Sequence, residues 1–305
     1  MKKILLVLLI FSGYIGRSQT PAPPPLNCKV EIKPPANLVI PTMYVKSAIG
    51  QGRNNNFAHK HYVIKVQTGR DIYDQIFFPI IPFIKMTNYF CKTLQFDSVK
   101  IWFAEYPADY TAEQWRQKLT IVFNPVKGGA SLGYFTIPDH GSDYIKLPTN
   151  PDVGQNWIDT YRDDLLKILS TIVTPKDPDN EYPSGTFTDT RFVEYCAQDW
   201  MQLLTEINYQ DNTIHQDPNF VTGIKVIFSA YDQNGDDQQK HRFRTITQFD
   251  FTTIVNGTDQ VFYLEDQPGF EDRDRRKIIC GIQPKSLDSK ILAIDNGQLC
   301  PTVCK

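Results

Sequence analysis

The sequence lacks most signatures that assign a chemistry at sight. It has no phosphate-cradling glycine loop, no H-E-x-x-H helix and no dinucleotide fingerprint. These absences weaken the case for a catalyst without removing it. The chain also lacks a basic excess: 32 Lys and Arg face 34 Asp and Glu, a formal net charge of −2. A protein made to grip nucleic acid or anionic lipid would carry a positive footprint, so neither partner is expected. Long hydrophobic runs are missing too. The longest opens the chain, from Ile4 to Phe11, well short of the roughly 20 residues of a membrane helix.

That opening run has a different meaning. Lys2 and Lys3 precede it, and the small residues Gly16 and Ser18 follow. This is the layout of a secretory signal peptide. Cleavage is expected after Ser18, so residues 1–18 leave and the remaining chain is exported, with no transmembrane helix. Loss of Lys2, Lys3 and Arg17 moves the formal charge from −2 to −5. The final address is the periplasm, the cell surface or the medium.

Six cysteines remain after such cleavage, and an exported chain can pair them. Cys28, Cys280, Cys300 and Cys304 lie in irregular, terminal segments and are the disulfide candidates. Cys91 and Cys196 sit within apolar patterns and read as buried thiols. Cys28 lacks the small residues that a lipid-attachment signal needs before it. No paired C-x-x-C spacing supports zinc.

Periodicity predicts an α+β fold. Residues 19–60 read as a proline-rich linker followed by irregular chain, and His61 to Val66 alternates like a strand. Phe83, Thr87, Phe90, Cys91 and Leu94 recur at helical spacing from Pro82 onward. Val99 to Phe103 and Leu119 to Phe123 then form an antiparallel hairpin, with Pro125 as its stop. The second half repeats this plan. Ile158, Tyr161, Leu165, Ile168, Leu169 and Ile172 mark one helix. Phe192, Cys196, Trp200, Leu203, Leu204 and Ile207 mark another, with Thr188 or Asp189 as its N-cap. Ile224, Val226 and Phe228 repeat Val99, Ile101 and Phe103 at an offset of 125. The same offset matches Lys100 with Lys225, Tyr106 with Tyr231, Thr120 with Thr245 and Ile121 with Ile246. The expectation is a duplicated helix-plus-antiparallel-hairpin unit, residues 61–150 and 151–305, with helices packed on each antiparallel sheet.

Several groups of residues suggest sites. Asp232, Asn234 and Asp236 occupy positions 1, 3 and 5 of a calcium loop, but Asp237 and Phe243 stand where glycine and glutamate belong. A solvated hairpin tip around Asn234-Gly235 explains the loop better, and no cofactor is expected. Asp139, His140 and Ser142 place an acid, an imidazole and a hydroxyl in one short stretch. Triads usually assemble from distant segments, so a polar turn is the plainer reading. His59 and His61 would share one face of a strand, but two ligands make no structural zinc site. The run Glu271 to Lys277 nearly cancels its own charge and reads as solvated surface. Trp102, Trp115 and Trp157 could form a sugar-stacking platform. Trp102 and its counterpart Ile227 are both apolar, which favours packing on both strand faces.

The strand Gly223 to Phe228 and the tail Leu299-Cys-Pro-Thr-Val-Cys304, together with the export signal, resemble a group of uncharacterised exported proteins of Bacteroidota. That group pairs a GVRIYF-like strand with a CPPxC-like end; here Thr302 stands where a second proline is frequent, and Lys305 follows. The resemblance covers chiefly residues 190–305 and supplies no activity and no site residues. The function expected from these observations is non-catalytic binding of a protein or surface glycan. The alternative is an exported hydrolase with its site between the two halves, using Asp139 and His140.

Overall fold

The computed structural model describes residues 47–149, 151–172, 189–231, 244–267 and 298–300. Residues 1–18, where a signal peptide is expected, the loop holding Asp232, Asn234 and Asp236, the run 271–277, and Cys28, Cys280 and Cys304 lie outside the described residues. Of Cys300 only the backbone is described.

The first element departs from expectation. Residues 47–68 form one helix, α1 (Ser47–Thr68), where the alternation from His61 to Val66 predicts a strand. Its buried residues are Gly50, Phe57, Lys60 and Ile64, spaced seven, three and four apart, which is one helical stripe. The stripe contains a glycine and a lysine, so apolar periodicity hardly registers it. Tyr62 and Val66, which made the strand pattern, are each 65% exposed. His59 and His61 are two apart on a helix and do not share a face.

Next comes β1 (Gln75–Pro79), which runs without a loop into α2 (Ile80–Tyr89) and a π turn over Phe90–Leu94. Pro82 falls in the first helical turn, where its missing N–H is not needed. Then β2 (Ser98–Glu105) and β3 (Leu119–Lys127) make the expected hairpin, with Ile101 opposite Phe123. Pro125 does not stop β3; it pairs with Val99, and its carbonyl accepts from the Leu132 N–H. Three short strands extend the sheet: β4 (Ala130–Ser131), β5 (Phe135–Thr136) and β6 (Ile145–Lys146). The single helix expected from Ile158 to Ile172 is two, α3 (Val153–Asp163) and α4 (Leu165–Ile172). They are broken at Asp164, whose φ of −122° and ψ of −85° leave the helical region.

The second half opens with β7 (Phe192–Cys196), which runs directly into α5 (Ala197–Tyr209) and a second π turn, Gln210–Ile214. Phe192 therefore belongs to a strand. The helix cap is Cys196, whose Sγ accepts from the Asp199 N–H at 3.4 Å; Asp189 is engaged elsewhere. The chain continues through β8 (Gly223–Ala230), β9 (Thr245–Val255), β10 (Thr258–Val261) and β11 (Gln298–Cys300). Cys91 and Cys196 are not thiols as expected; both are disulfide-bonded. No helix among the described residues is long and apolar enough to cross a membrane.

The architecture is α+β, with helices and two antiparallel sheets ordered β1-β8-β9-β10 and β11-β7-β2-β3-β5-β6. The halves do not close on themselves, however. β1 pairs with β8 and β7 pairs with β2, so each half lends the strand before its helix to the other half's sheet. α1 likewise packs on β8, and α3 on β2. Pro79 lies opposite Gly223 and Cys196 opposite Ser98, each at the first residue of the receiving strand. A Cβ on residue 223 would overlap the Phe77 ring and the Phe78 carbonyl, so glycine lets β1 dock there. A boundary near residue 150 therefore divides no core: one cluster runs from Phe57 to Leu264.

The two hairpins agree in detail. β2 and β8 bury the same positions in order, at the expected offset of 125. The following strands need 126, because Leu119 faces Glu105 while Thr245 faces Ala230. Matching Thr120 with Thr245 and Ile121 with Ile246 is thus one residue out, which would place the partners on opposite sheet faces. Ring contacts also recur in pairs. Phe78 lies 5.8 Å from Phe123, as Tyr195 lies 6.2 Å from Phe249. Phe57 lies 5.8 Å from Phe228, as Tyr161 lies 5.8 Å from Phe103. Phe103 and Phe228, matched positions, meet each other at 5.9 Å.

Candidate functional site

Asp139 and His140 come together, but as a brace for β1. The Phe77 N–H donates to Asp139 Oδ1 at 2.7 Å, and the His140 N–H donates to the Phe77 carbonyl at 2.9 Å. The His140 ring lies 4.8 Å from the Phe77 ring. Its Nε2 stands 3.9 Å from Asp139 Oδ1, too far for a hydrogen bond. Ser142 is exposed, and no hydrogen bond joins it to His140 among the described residues. No cluster of three potential metal ligands occurs among the described residues either.

A more distinctive feature lies at the closed end of the β2–β3 hairpin, in the connection between the two strands. Tyr106 follows β2 directly and is almost fully buried, as is Trp157 of α3. Their rings lie 4.8 Å apart. Two further rings from the connection, Tyr110 and Trp115, are half-buried and build onto that base. Trp115 lies 5.6 Å from Tyr106 and 6.2 Å from Tyr110, with planes 29° and 22° apart. Tyr110 meets Trp157 edge-on at 5.4 Å. The result is a partly exposed aromatic ledge on a rigid floor. Of the tryptophans the sequence groups together, Trp115 and Trp157 belong to it. Trp102 packs against the same small core, but its ring neighbours are Phe192 at 4.4 Å and the Arg191 guanidinium at 6.0 Å.

Polar groups border the ledge. Arg116 donates through Nε to the Tyr110 carbonyl at 2.7 Å and pairs with Glu113 at 3.2 Å. The Lys118 ammonium lies 5.3 Å from the Tyr73 ring centroid and donates to the Asp71 carbonyl. The Asp71 carboxyl is held below its ordinary range, chiefly by its hydrogen bond with His61. Burial raises the Tyr106 hydroxyl, which accepts from Thr120 Oγ1 at 3.4 Å. Gln117 and His140 both have left-handed backbone, at φ 58° and 54°. Non-glycine residues in that region carry strain and tend to cluster at functional sites.

One residue before the base of the ledge sits a buried carboxyl. Glu105 closes β2 and is fully enclosed. Arg70, just beyond α1, reaches its Oε1 with one terminal nitrogen and Asp164 Oδ2 with the other at 2.8 Å. The nitrogen that meets Glu105 also donates to the Gln117 carbonyl at 3.2 Å. Glu105 Oε2 and Arg70 Nε are buried with no hydrogen-bond partner among the described residues. Burial pushes the Glu105 carboxyl up to about 7, although the Arg70 charge pulls the other way. Two other carboxyls, Asp211 and Asp250, are pushed to about 6, also chiefly by burial.

Neither the ledge nor the Arg70–Glu105 pair is visible as a sequence motif. The signal that could have found them is the comparison of the two hairpins. The Tyr106–Trp115 connection is aromatic where that of the other hairpin is acidic, and Glu105 stands where β8 has Ala230. Comparison of the chain with protein families, with curated proteins and with solved structures finds no match.

Proposed function

We propose that this protein is an exported, non-catalytic binding module, built on one copied strand–helix–hairpin unit, that holds a glycan against the Tyr110–Trp115 ledge. The observation that carries the reading is the ledge itself: two half-exposed rings, stacked on buried Tyr106 and Trp157, at the tip of a hairpin. Sugar rings present flat C–H faces that lie well on aromatic rings, while bordering carboxylates and guanidinium groups take their hydroxyls. Balanced charge around the ledge suits a neutral glycan better than a polyanion. The signal-like opening of the chain and the half-cystines Cys91 and Cys196 support export. A hydrolase centred on Asp139 and His140 is less well supported, because Asp139 is committed to the Phe77 N–H.

The test is retention of the exported chain on neutral polysaccharides (β-glucan, α-glucan, mannan, xylan) by affinity electrophoresis. Wild-type protein is expected to be retarded by at least one of them. Trp115→Ala should weaken that retardation about tenfold, a loss of roughly 1.4 kcal/mol, while leaving the melting temperature nearly unchanged because the ring is half-exposed. Equal retention of the variant, or no retention on any polysaccharide, overturns the reading.

A further inference from the structure

Along β2 and β8, matched positions carry matched chemistry with one exception among ionisable residues. Lys100 matches Lys225, Phe103 matches Phe228 and Tyr106 matches Tyr231, but Glu105 matches Ala230. Both positions are fully buried. Apolar packing therefore suffices at this place in the fold, and a buried carboxylate there is costly unless it has a task. Its surroundings suggest which. Arg70 joins three elements at one point: the end of β2 through Glu105, the α3–α4 break through Asp164, and the ledge loop through the carbonyl of strained Gln117. Gln117 in turn donates its N–H to the Tyr106 carbonyl at 2.9 Å, and the next N–H, of Lys118, donates to the Trp115 carbonyl at 3.0 Å.

We propose that Glu105 is a proton-operated latch that sets the order of the aromatic ledge. With Glu105 charged, Arg70 is drawn to β2 and holds the Gln117 carbonyl, fixing Trp115 and Tyr110. A proton on the unpartnered Oε2 removes that attraction, Arg70 turns to Asp164, and the loop from Tyr106 to Lys118 loosens. Glu105 is a positioning residue here; it touches no ligand. The inference rests on the glycan-binding reading for its consequence, but the latch itself has an independent readout.

The groups that face Glu105 set the direction. Arg70 comes from beyond α1, Asp164 and the Leu165 N–H from the α3–α4 break, and the Tyr161 hydroxyl from α3. Burial favours the proton most, Asp164 adds to it, and Arg70 and the Leu165 N–H oppose it. The balance places the transition near pH 7. Two effects of opposite sign follow. Because the folded value lies above the unfolded one, Glu105 contributes fold stability that is full below about pH 4.5 and lost as pH rises through 7. Acidification from pH 8 to pH 6 thus favours the folded chain while it disorders the ledge. A purely structural carboxylate would show only the first effect.

The experiment follows the backbone amides of Gln117 and Lys118 and the Trp115 indole by 1H–15N NMR from pH 5.5 to 8.5, in wild-type protein and in Glu105→Gln. Wild-type signals should move with a common midpoint near 7, and retention on the bound polysaccharide should fall about tenfold between pH 8 and pH 6, equivalent to a one-unit difference in proton affinity. In Glu105→Gln these movements vanish and retention stays low at every pH. A step of the same size and midpoint that survives in Glu105→Gln overturns the latch. Static Gln117 and Trp115 signals in the wild type overturn the latch. Moving signals with no polysaccharide retained keep the latch and overturn only the glycan reading.

Discussion

Lys60→Met should cost the protein about 3–5 kcal/mol, because it leaves a buried charge without its counter-ion. Lys60 is one of the few buried residues of α1, and its ammonium donates to Asp189 Oδ2 at 2.9 Å and to Thr245 Oγ1 at 3.2 Å. Asp189 also accepts from the Thr190 N–H at 2.7 Å, the Thr245 N–H at 2.6 Å and the Thr245 hydroxyl at 2.7 Å. One carboxylate thus ties α1, the approach to β7 and the start of β9. Burial pulls the Lys60 ammonium below its ordinary range against the pull of Asp189. Burial pushes Asp189 up, yet the Lys60 charge and the bonds from Lys60 and Thr245 prevail and hold it low. Asp189 therefore contributes stability above about pH 4 that is lost as pH falls through its folded value. The measurement is urea denaturation at pH 7 of Lys60→Met, Asp189→Asn and the double variant. Asparagine can still accept from the two backbone donors without a charge, so the double variant should recover about 1–2 kcal/mol of the Lys60→Met loss. A Lys60→Met cost below about 1 kcal/mol would mean that the pair is screened as a surface ion pair is.

Much of the fold was legible where a single periodicity ran unbroken. β2 and β8 each alternate between turn signals, so their apolar faces and the likeness of their patterns could be read directly. β1 and β7 could not, because each runs straight into a helix and their apolar residues merge with the helical stripe; Phe192 was absorbed in this way. α1 was hidden for the opposite reason: its buried stripe holds only Phe57 and Ile64 as large apolar groups, beside Gly50 and Lys60. The exchange of β1 and β7 between sheets is a pairing choice, which alternation does not encode. The one-residue slip in matching β3 to β9 arose because Thr-Ile recurs at 120–121 and 245–246, whereas register is set by the opposite strand. For the ledge, Trp115 and Trp157 were singled out by residue type, but they are 42 positions apart, and only the docking of α3 on β2 brings them together. Glu105 looked like one acid among 34; its burial is a tertiary fact.

The exchanged architecture also fixes where the largest core penalty falls. Trp200 of α5 is fully buried and touches all the layers at once: Phe83 of α2 at 5.5 Å, Phe123 of β3 at 5.9 Å, Tyr195 of β7 at 6.0 Å and Phe249 of β9 at 5.7 Å. Its indole N–H donates to Thr87 Oγ1 across the two helices at 3.3 Å. The matched position in the first half is Phe83, so the fold uses a large ring at both places. Trp200→Ala removes the ring where neighbours from two helices and two sheets cannot all close in, and should cost about 4–5 kcal/mol. Trp200→Phe supplies the ring that the matched position already uses, losing the hydrogen bond and part of the volume, and should cost about 1–2 kcal/mol. Denaturant midpoints of the two variants decide the matter. Were both equally mild, Trp200 could not be the junction of the two sheets; were both equally severe, the indole N–H rather than ring volume would be holding the halves together.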